Sequence, residues 1–288
     1  MDYAIVKLVQ IFGAVAGLVV ISLGLAVIFG MMRVINIAHG EFVAVGAYAV
    51  IASVKAGVNV WVAILLVAPL VGALLGVIVE RCLIRFLYSR IVDSLLATWG
   101  LSLVLVGTIT TIFGNTVEGV PSPLGSISIG SYRISLYILF LIAVASSLLA
   151  ALYAGLRFTT FGLLARGTMQ NAEVAASFGV APNRVYMATF ALGAGLAGLA
   201  GGVLAPMTAV VPTMGTAFVA KAFITVVSGG AAMVTGTAAS SVLFGSIGQV
   251  TTFITGPVWG DAAMLLVAII LLRVLPQGIT GRFWRSAQ

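Results

Sequence analysis

Apolar runs of about 20 residues recur along the whole chain, and they constrain its fold more than any other feature. A helix of about 20 apolar residues spans the ~30 Å hydrocarbon core of a bilayer. The runs are continuous, whereas the strands of an outer-membrane barrel alternate between apolar and polar residues. Only 7% of the residues are charged, and a soluble domain carries about 25%. The sequence therefore predicts membrane-spanning helices and argues against a water-soluble enzyme.

The apolar runs predict an all-α polytopic membrane protein with about eight to ten transmembrane helices. We expect residues 1–288 to form a single transmembrane domain with short loops. The first run is too long for the core of a signal peptide and precedes no clear small-x-small cleavage site, so we expect it to be retained. The predicted spans are residues 4–29, 42–57, 60–79, 94–113, 134–154, 186–209, 218–234, 237–256 and 259–275.

The arginines predict the orientation in the membrane. Arginine-rich stretches at 80–93, 155–185 and 273–285 are separated by even numbers of predicted spans, so they can share one side. The positive-inside rule places that side, with the C-terminus, in the cytoplasm and the N-terminus outside. If the run before residue 41 is split or re-entrant, the N-terminus moves inside. The outside loop 114–133, which contains Gly, Pro and Ser, is predicted to be irregular.

The longest polar segment lies at about residues 155–185, on the predicted cytoplasmic side. Its composition predicts a short helix from Asn171 to Phe178. Asn171 can cap the start of that helix, and Gly179 can supply the turn that ends it. Two interpretations stay open from the residues alone: an ordinary connecting helix, or a surface that docks a partner.

Two glycine-containing segments in opposite halves of the chain, residues 39–49 (the first repeat segment) and 229–239 (the second), resemble each other. In each, a glycine is followed by five residues, a second glycine and small residues that open an apolar helix. Interrupted hydrophobic segments at matching places in two halves are typical of a solute path, although small residues also permit close helix packing. With the polar residues beside the first segment, the predicted path residues are Asn36, His39, Gly40, Glu41, Gly46, Gly229, Gly230 and Gly236.

The few ionisable residues at membrane depth predict no catalytic or metal site. His39 is the only histidine, and it does not share a helix face with Glu41 because the two residues are two positions apart. A structural hydrogen-bonding role for both is favoured over direct contact with solute. Lys221 and Asp261 either pair with each other or reach the interface separately.

A glycine motif at residues 193–198 matches G-x-G-x-x-G, the dinucleotide-binding fingerprint. The fingerprint requires a preceding strand, whereas this motif lies inside the apolar run 186–209. With Gly202, the motif also forms a face of small residues. It therefore predicts close helix packing. The sequence contains no P-loop motif, so we expect the chain to bind no ATP by that route.

Several segments together resemble the permeases of the branched-chain amino acid ABC importer family. The most specific is the run that ends in Asn36-Ile-Ala-His-Gly-Glu41 and is followed by Gly46-Ala-Tyr48. The resemblance extends over nearly the whole chain, and its segments are residues 23–41, 46–48, 95–102, 166–179, 190–202 and 275–279.

The resemblance implies a permease subunit, not an enzyme, in the bacterial inner membrane. It implies as partners a second related permease or a copy of this chain, two cytoplasmic ATPase subunits and an extracytoplasmic solute-binding protein. ATP and Mg²⁺ would bind to the ATPase subunits, and this chain would hold no cofactor and no metal. The short cytoplasmic helix would be the coupling helix that docks on the ATPase, with the coupling residues Arg166, Asn171, Glu173, Ala175, Ala176 and Gly179.

The resemblance leaves alternatives for the solute. Branched-chain or other hydrophobic amino acids are the first expectation, with Lys221-Ala-Phe223 similar to that branch. Urea or short-chain amides are the alternative, because residues 97–100 and Trp259-Gly260 are more similar to the urea branch. Ala232 and Met233 depart from the family pattern in the second repeat. A rival of another class is an ion-coupled secondary transporter or channel, for which His39 and Glu41 are the candidate coupling pair, and a structural membrane subunit is a third possibility.

Overall fold

The computed structural model describes residues 2–88, 90–130, 132–230 and 232–281. Ala231 of the second repeat and Arg282 and Arg285 of the basic tail lie outside these residues. The helices are α1 (Asp2–Met32), α2 (His39–Lys55), α3 (Val60–Val62), α4 (Ala68–Cys82), α5 (Ile91–Phe113), α6 (Leu136–Phe158), α7 (Thr160–Gln170), α8 (Ala172–Ser177), α9 (Pro182–Leu204), α10 (Met214–Gly229), α11 (Met233–Thr255) and α12 (Pro257–Val274). A π-helical turn, Ala63–Val67, joins α3 to α4, and a 3₁₀ turn, Ile84–Phe86, follows α4.

Each of the nine predicted spans overlaps a helical segment, which confirms an all-α polytopic membrane protein, although the predicted span 218–234 runs past the end of α10 at Gly229 and into α11. Within the described ranges, seven helical segments are long and apolar enough to cross a membrane. The other two, α2 with 17 residues and α10 with 16, are shorter. At about 1.5 Å per residue they reach only about 25 Å, less than the ~30 Å hydrocarbon core. These two short helices are the ones that adjoin the sequence repeat.

A β-hairpin corrects the prediction that loop 114–133 is irregular throughout. Strand β1 (Ser126–Ile129) pairs antiparallel with β2 (Tyr132–Ser135), with Ser126 opposite Ser135 and Ile127 opposite Ile134. The sequences Ser-Ile-Ser-Ile and Tyr-Arg-Ile-Ser alternate polar and apolar residues, as strands do. Gly130 takes a positive φ of 59° between them. The short alternation was hidden by the Gly, Pro and Ser content of the whole loop.

The chain forms two compact units, and each has its own packing. The first comprises Met1–Ser22, Pro121–Leu149 and Lys221–Gln288. In it, α11 packs against α12. Lys221 Nζ lies 2.7 Å from Asp261 Oδ1, so these two residues pair with each other. The second unit comprises Leu23–Val120 and Ala150–Ala220, and in it α9 packs against both α2 and α4.

The G-x-G-x-x-G motif packs helices together, as predicted. A Cβ atom on Gly198 of α9 would overlap the carbonyl oxygen of Ala68 and would come within 3.1 Å of Gly72 Cα on α4. A Cβ on Gly202 would lie 2.8 Å from Ala68 Cβ. The absence of side chains at these positions lets the two helix backbones approach closely.

Candidate functional site

The first repeat segment opens α2, directly after an interruption between α1 and α2. Helix α1 ends at Met32, and Arg33 takes a positive φ of 52°, which is unusual for a residue other than glycine. The chain then runs without helical structure until α2 begins at His39. Asn36 is buried within this interruption. We call residues 33–38 the first break.

Helix α5 holds the first break through a threonine. The backbone N–H of Ile37 donates a 3.1 Å hydrogen bond to Thr98 Oγ1. The same hydroxyl lies 3.2 Å from the carbonyl oxygen of Ile35 and 2.8 Å from that of Ser94 in its own helix. Thr98 is fully buried. It was not among the predicted site residues, although it lies in the segment 95–102 that carried the family resemblance.

Helix α5 also holds the carboxylate of Glu41. Ser102 lies four residues after Thr98 and therefore on the same helix face. Its hydroxyl donates a 2.9 Å hydrogen bond to Glu41 Oε1. Glu41 is fully buried, and its Oε2 makes no hydrogen bond to the residues that the structure describes. One carboxylate oxygen thus links α2 to α5, and the structural role that the sequence favoured for Glu41 stays a prediction.

Two further predicted residues are buried close to the first break. The imidazole of His39 packs against α1, where a Cβ on Gly24 would come within 3.0 Å of His39 Cε1. The side-chain amide of Asn36 is buried, and neither of its polar atoms forms a hydrogen bond within the described ranges. A buried amide without a hydrogen bond is costly, so the Asn36 side chain is a candidate contact for another group.

The two glycines of the first segment contact other helices directly. A Cβ on Gly40 would overlap the carbonyl oxygen of Gly215 in α10, and a Cβ on Gly46 would overlap that of Gly198 in α9. Reciprocally, a Cβ on Gly201 would overlap the carbonyl oxygen of Val43. Gly40 and Gly46 thus permit close helix packing, which was the alternative to a solute path in the interpretation of the sequence repeat.

The second repeat segment lies at the interruption between α10 and α11. Helix α10 ends at Gly229, Gly230 takes a positive φ of 82°, and α11 begins at Met233. We call the interval between α10 and α11, in which Gly230 and Ala232 are described, the second break. A Cβ on Gly229 would lie 2.6 Å from the carbonyl carbon of Gly236, so the two helices touch through this glycine pair. Both repeat segments therefore adjoin helix breaks, the first in the second unit and the second in the first unit.

The segment after α12 packs against the second break and forms hydrogen bonds with its backbone. The backbone N–H of Ile279 donates a 2.8 Å hydrogen bond to the carbonyl oxygen of Ser228. Thr280 Oγ1 donates a 2.6 Å bond to the carbonyl oxygen of Gly229 and accepts a 3.1 Å bond from the N–H of Ala232. Gly278, with φ 74°, permits this approach because a Cβ there would lie 2.6 Å from Gly230 Cα.

The predicted cytoplasmic helix is present as α8, and its capping is confirmed. The Asn171 side chain accepts hydrogen bonds of 3.0 and 3.1 Å from the N–H groups of Glu173 and Val174. Gly179 ends the helix with a positive φ of 83°. Helix α7, which the sequence did not predict, precedes it, and the side chain of Thr159 caps α7 by accepting a bond from Gly162 N–H.

Helix α8 buries one face and presents another. It packs against α7 and α9, with Ala175 buried and Glu173 and Ala176 exposed. Arg166 on α7 donates from Nε to the carbonyl oxygen of Gly162 at 3.2 Å. The side chains of Val174 and Phe178 are 51% and 83% exposed. Sequence reasoning did not single out these two apolar residues, although an aromatic residue in a polar loop is the signal that could have found them.

Two polar contacts in the second unit lie outside the breaks. The Tyr88 hydroxyl donates to Glu80 Oε1 at the end of α4. Burial raises the pKa of Tyr88 above its ordinary value, and the hydrogen bond to Glu80 raises it further, so the phenol stays protonated. At the end of α2, Lys55 Nζ lies 2.8 Å from Glu118 Oε1.

A separate apolar cavity of about 410 Å³ lies between α2, α4 and α5. Its walls include Tyr48, Leu74 and Ile112, and none of the predicted path residues lines it. The cavity is thus distinct from the buried polar cluster at the first break.

The model of the family described as "Branched-chain amino acid transport system / permease component" matches residues 7–275. The chain belongs to this family. The permease is 28% identical over 284 residues to the probable branched-chain amino acid transport permease protein LivH of Methanocaldococcus jannaschii, covering 93% of this chain and 90% of the relative. It is 26% identical over 285 residues to the high-affinity LivH permease of Escherichia coli K12, covering 91% and 90%. It is 24% identical over 279 residues to the BraD permease of Pseudomonas aeruginosa, covering 91% of each chain. No solved structure matches it.

The family membership confirms the resemblance read from the sequence. The permease is a multi-pass membrane protein and a component of a transport system, and its family is one of transporters and not of enzymes. A component of such a system works with other subunits.

Proposed function

We propose that this permease is the membrane-spanning subunit of an ATP-driven ABC importer that takes up branched-chain or other hydrophobic amino acids by alternating access. The observation that carries the proposal is the family match over residues 7–275. The relatives named above are branched-chain amino acid permeases, which favours these solutes over urea or short amides. ATP and Mg²⁺ would bind to partner subunits, since the chain lacks a P-loop motif.

The proposed partners follow from this role. They are two cytoplasmic ATPase subunits, a second related permease or a copy of this chain, and an extracytoplasmic binding protein that delivers the solute. Helix α8 would dock on the ATPase, with Val174 and Phe178 entering the interface because they are exposed in a segment outside the spans. Apolar and aromatic side chains of this kind are typical anchors of protein interfaces.

The first break is the part of the proposed solute path with the most suitable chemistry. Asn36 offers a buried amide, and Glu41 offers a carboxylate oxygen that the described residues leave without a hydrogen bond. Carboxylates and amides can bind the ammonium group of an amino acid. Because the helical structure is interrupted between α1 and α2, a small movement of α2 would expose the Asn36 amide and the Glu41 carboxylate. His39 and the repeat glycines would shape the path by their packing.

The uptake assay tests the proposed function directly. Proteoliposomes that contain the permease with its cognate partners should accumulate labelled leucine only when ATP is enclosed with the ATPase and the binding protein is present. Permease alone should show no accumulation under an ion gradient. Accumulation driven by the gradient would instead support a secondary transporter. Calorimetry of the binding protein with leucine, valine and urea separates the two solute classes.

The proposed orientation predicts a labelling pattern for single cysteines. Cys82 is the only cysteine, and it is exposed, so a Cys82→Ser background can carry Val117→Cys or Phe178→Cys. Val117, 71% exposed in loop 114–125, is placed outside, and Phe178 is placed in the cytoplasm. A membrane-impermeant maleimide should label Val117→Cys in intact spheroplasts and Phe178→Cys only in inverted vesicles. The reverse pattern would contradict the orientation.

A further inference from the structure

The two helix breaks are both held by a residue that lies outside the repeat segments. In each, a threonine hydroxyl from a distant part of the chain bonds the backbone of the break. Thr98 on α5 serves the first break and lies 61 residues after Ile37. Thr280, which follows α12, serves the second break and lies 48 residues after Ala232. Each pair lies within one compact unit.

The backbone at a helix break needs such partners because a break frees N–H and C=O groups from helical hydrogen bonding. Where protein or lipid excludes water from a break, other groups of the protein must form those bonds. A hydroxyl can accept from an N–H and donate to a C=O at the same time. Thr280 does both, since it accepts from Ala232 and donates to Gly229. Thr98 accepts from Ile37, and three carbonyl oxygens lie within reach of its proton: Ser94 at 2.8 Å in its own helix, and Ile35 and Leu95 at 3.2 Å.

The surroundings indicate that these bonds fix the conformation of the breaks. Thr98 is fully buried, so water does not compete for its hydroxyl. At the second break the backbone of Ile279 adds a bond to Ser228, and Gly278 packs on Gly230, so the tail segment is held against the break at several points. By contrast, other buried threonines such as Thr225 only donate to a carbonyl of their own helix, here that of Lys221.

We propose that Thr98 and Thr280 are positioning residues, each of which fixes one helix break in the conformation needed for transport. The part that concerns transport rests on the proposed function. The hydroxyl, not the methyl group, carries the effect in both residues. Neither threonine touches solute in this proposal, and each acts through the backbone that it bonds.

Hydrogen exchange on the full-length permease in lipid nanodiscs tests the positioning itself, independently of transport. Thr98→Val removes the hydroxyl and keeps the volume, so amide exchange at residues 33–41 should become at least about five-fold faster while the second break stays unchanged. Thr280→Val should show the reciprocal result at residues 229–236. Thr98→Ser and Thr280→Ser should restore the wild-type rates, because serine keeps the hydroxyl.

The matched controls are Thr189→Val and Thr225→Val. Thr189 in α9 is fully buried and its hydroxyl forms no hydrogen bond within the described ranges, and the hydroxyl of Thr225 bonds only within α10. Both control variants should leave exchange at the two breaks unchanged. If a valine variant at Thr98 or Thr280 gives no folded protein, the corresponding alanine variant is measured in its place. Unchanged exchange at the cognate break, or an equal rise at both breaks in either variant, would overturn the proposal.

Uptake of leucine with the complete transporter provides the second readout. The valine variants at Thr98 and Thr280 should reduce the maximal rate at least about five-fold with unchanged amounts of assembled complex, and the serine variants should recover it. Wild-type rates in the valine variants would overturn the transport part of the proposal. If the wild-type transporter moves no leucine, the proposed function fails, and the exchange experiment still decides the positioning role.

Discussion

Replacing Gly46 by alanine is expected to destabilise the second unit strongly. The added Cβ would overlap the carbonyl oxygen of Gly198 in α9, and a backbone atom cannot move aside as a flexible side chain can. Overpacking of a core usually costs about 1–3 kcal/mol, and this site lies at the upper end because both contacting groups belong to helix backbones. The measurement is the yield of monodisperse protein and its thermal unfolding midpoint in detergent.

The same substitution at Gly107 of α5 is the matched control. Gly107 is also a helical glycine, but a Cβ there meets no described atom within 4 Å. Alanine should therefore leave the unfolding midpoint unchanged or raise it, since alanine favours helix by up to about 1 kcal/mol over glycine. Gly201→Ala, on the facing helix, should reproduce the Gly46→Ala defect because its Cβ would overlap the carbonyl oxygen of Val43. Equal stability of the Gly46 and Gly107 variants would refute the backbone contact.

Local patterns were sufficient to predict much of the fold. Lipid imposes apolar runs of about 20 residues, so the runs marked the helices that the structure shows. The capping of α8 was also predictable, since Asn171 and Gly179 act on groups within a few residues of themselves. The hairpin at 126–135 was missed because four-residue strands give a weak signal beside the glycines and serines of the loop.

The contacts that organise the breaks could not be predicted, because their partners are far apart in sequence. Nothing near Ile37 indicates that its N–H will meet Thr98, and nothing near Glu41 indicates Ser102, 61 residues away. The contacts of the repeat glycines were equally impossible to predict from the sequence. The repeat located Gly40 and Gly46 correctly beside a break, but only the fold shows that they face the backbones of α10 and α9. A glycine's neighbours decide its role, and those neighbours are set by tertiary packing.

Introducing a charge at Phe178 is expected to abolish ATP-driven uptake without unfolding the permease. The ring is 83% exposed at the end of α8, so Phe178→Asp breaks no internal packing. In the proposed complex the ring would be buried against the ATPase, where a central aromatic residue contributes about 2 kcal/mol or more. A buried aspartate adds a desolvation cost. We expect the affinity for the ATPase to fall at least about 30-fold, measured by titration of detergent-solubilised permease with the purified ATPase.

Val117→Asp is the matched control for Phe178→Asp. It also places a carboxylate on an exposed apolar residue, but in loop 114–125, which the proposed orientation puts on the other side of the membrane. That variant should bind the ATPase with wild-type affinity.

Gly179→Leu tests the α8 surface in another way, because the Gly179 φ of 83° strains any side chain and the substitution would shift the end of α8. It should retain folded yield and uncouple ATP hydrolysis from uptake. Coupled uptake at the wild-type rate in both Phe178→Asp and Gly179→Leu would show that α8 is only a connecting helix.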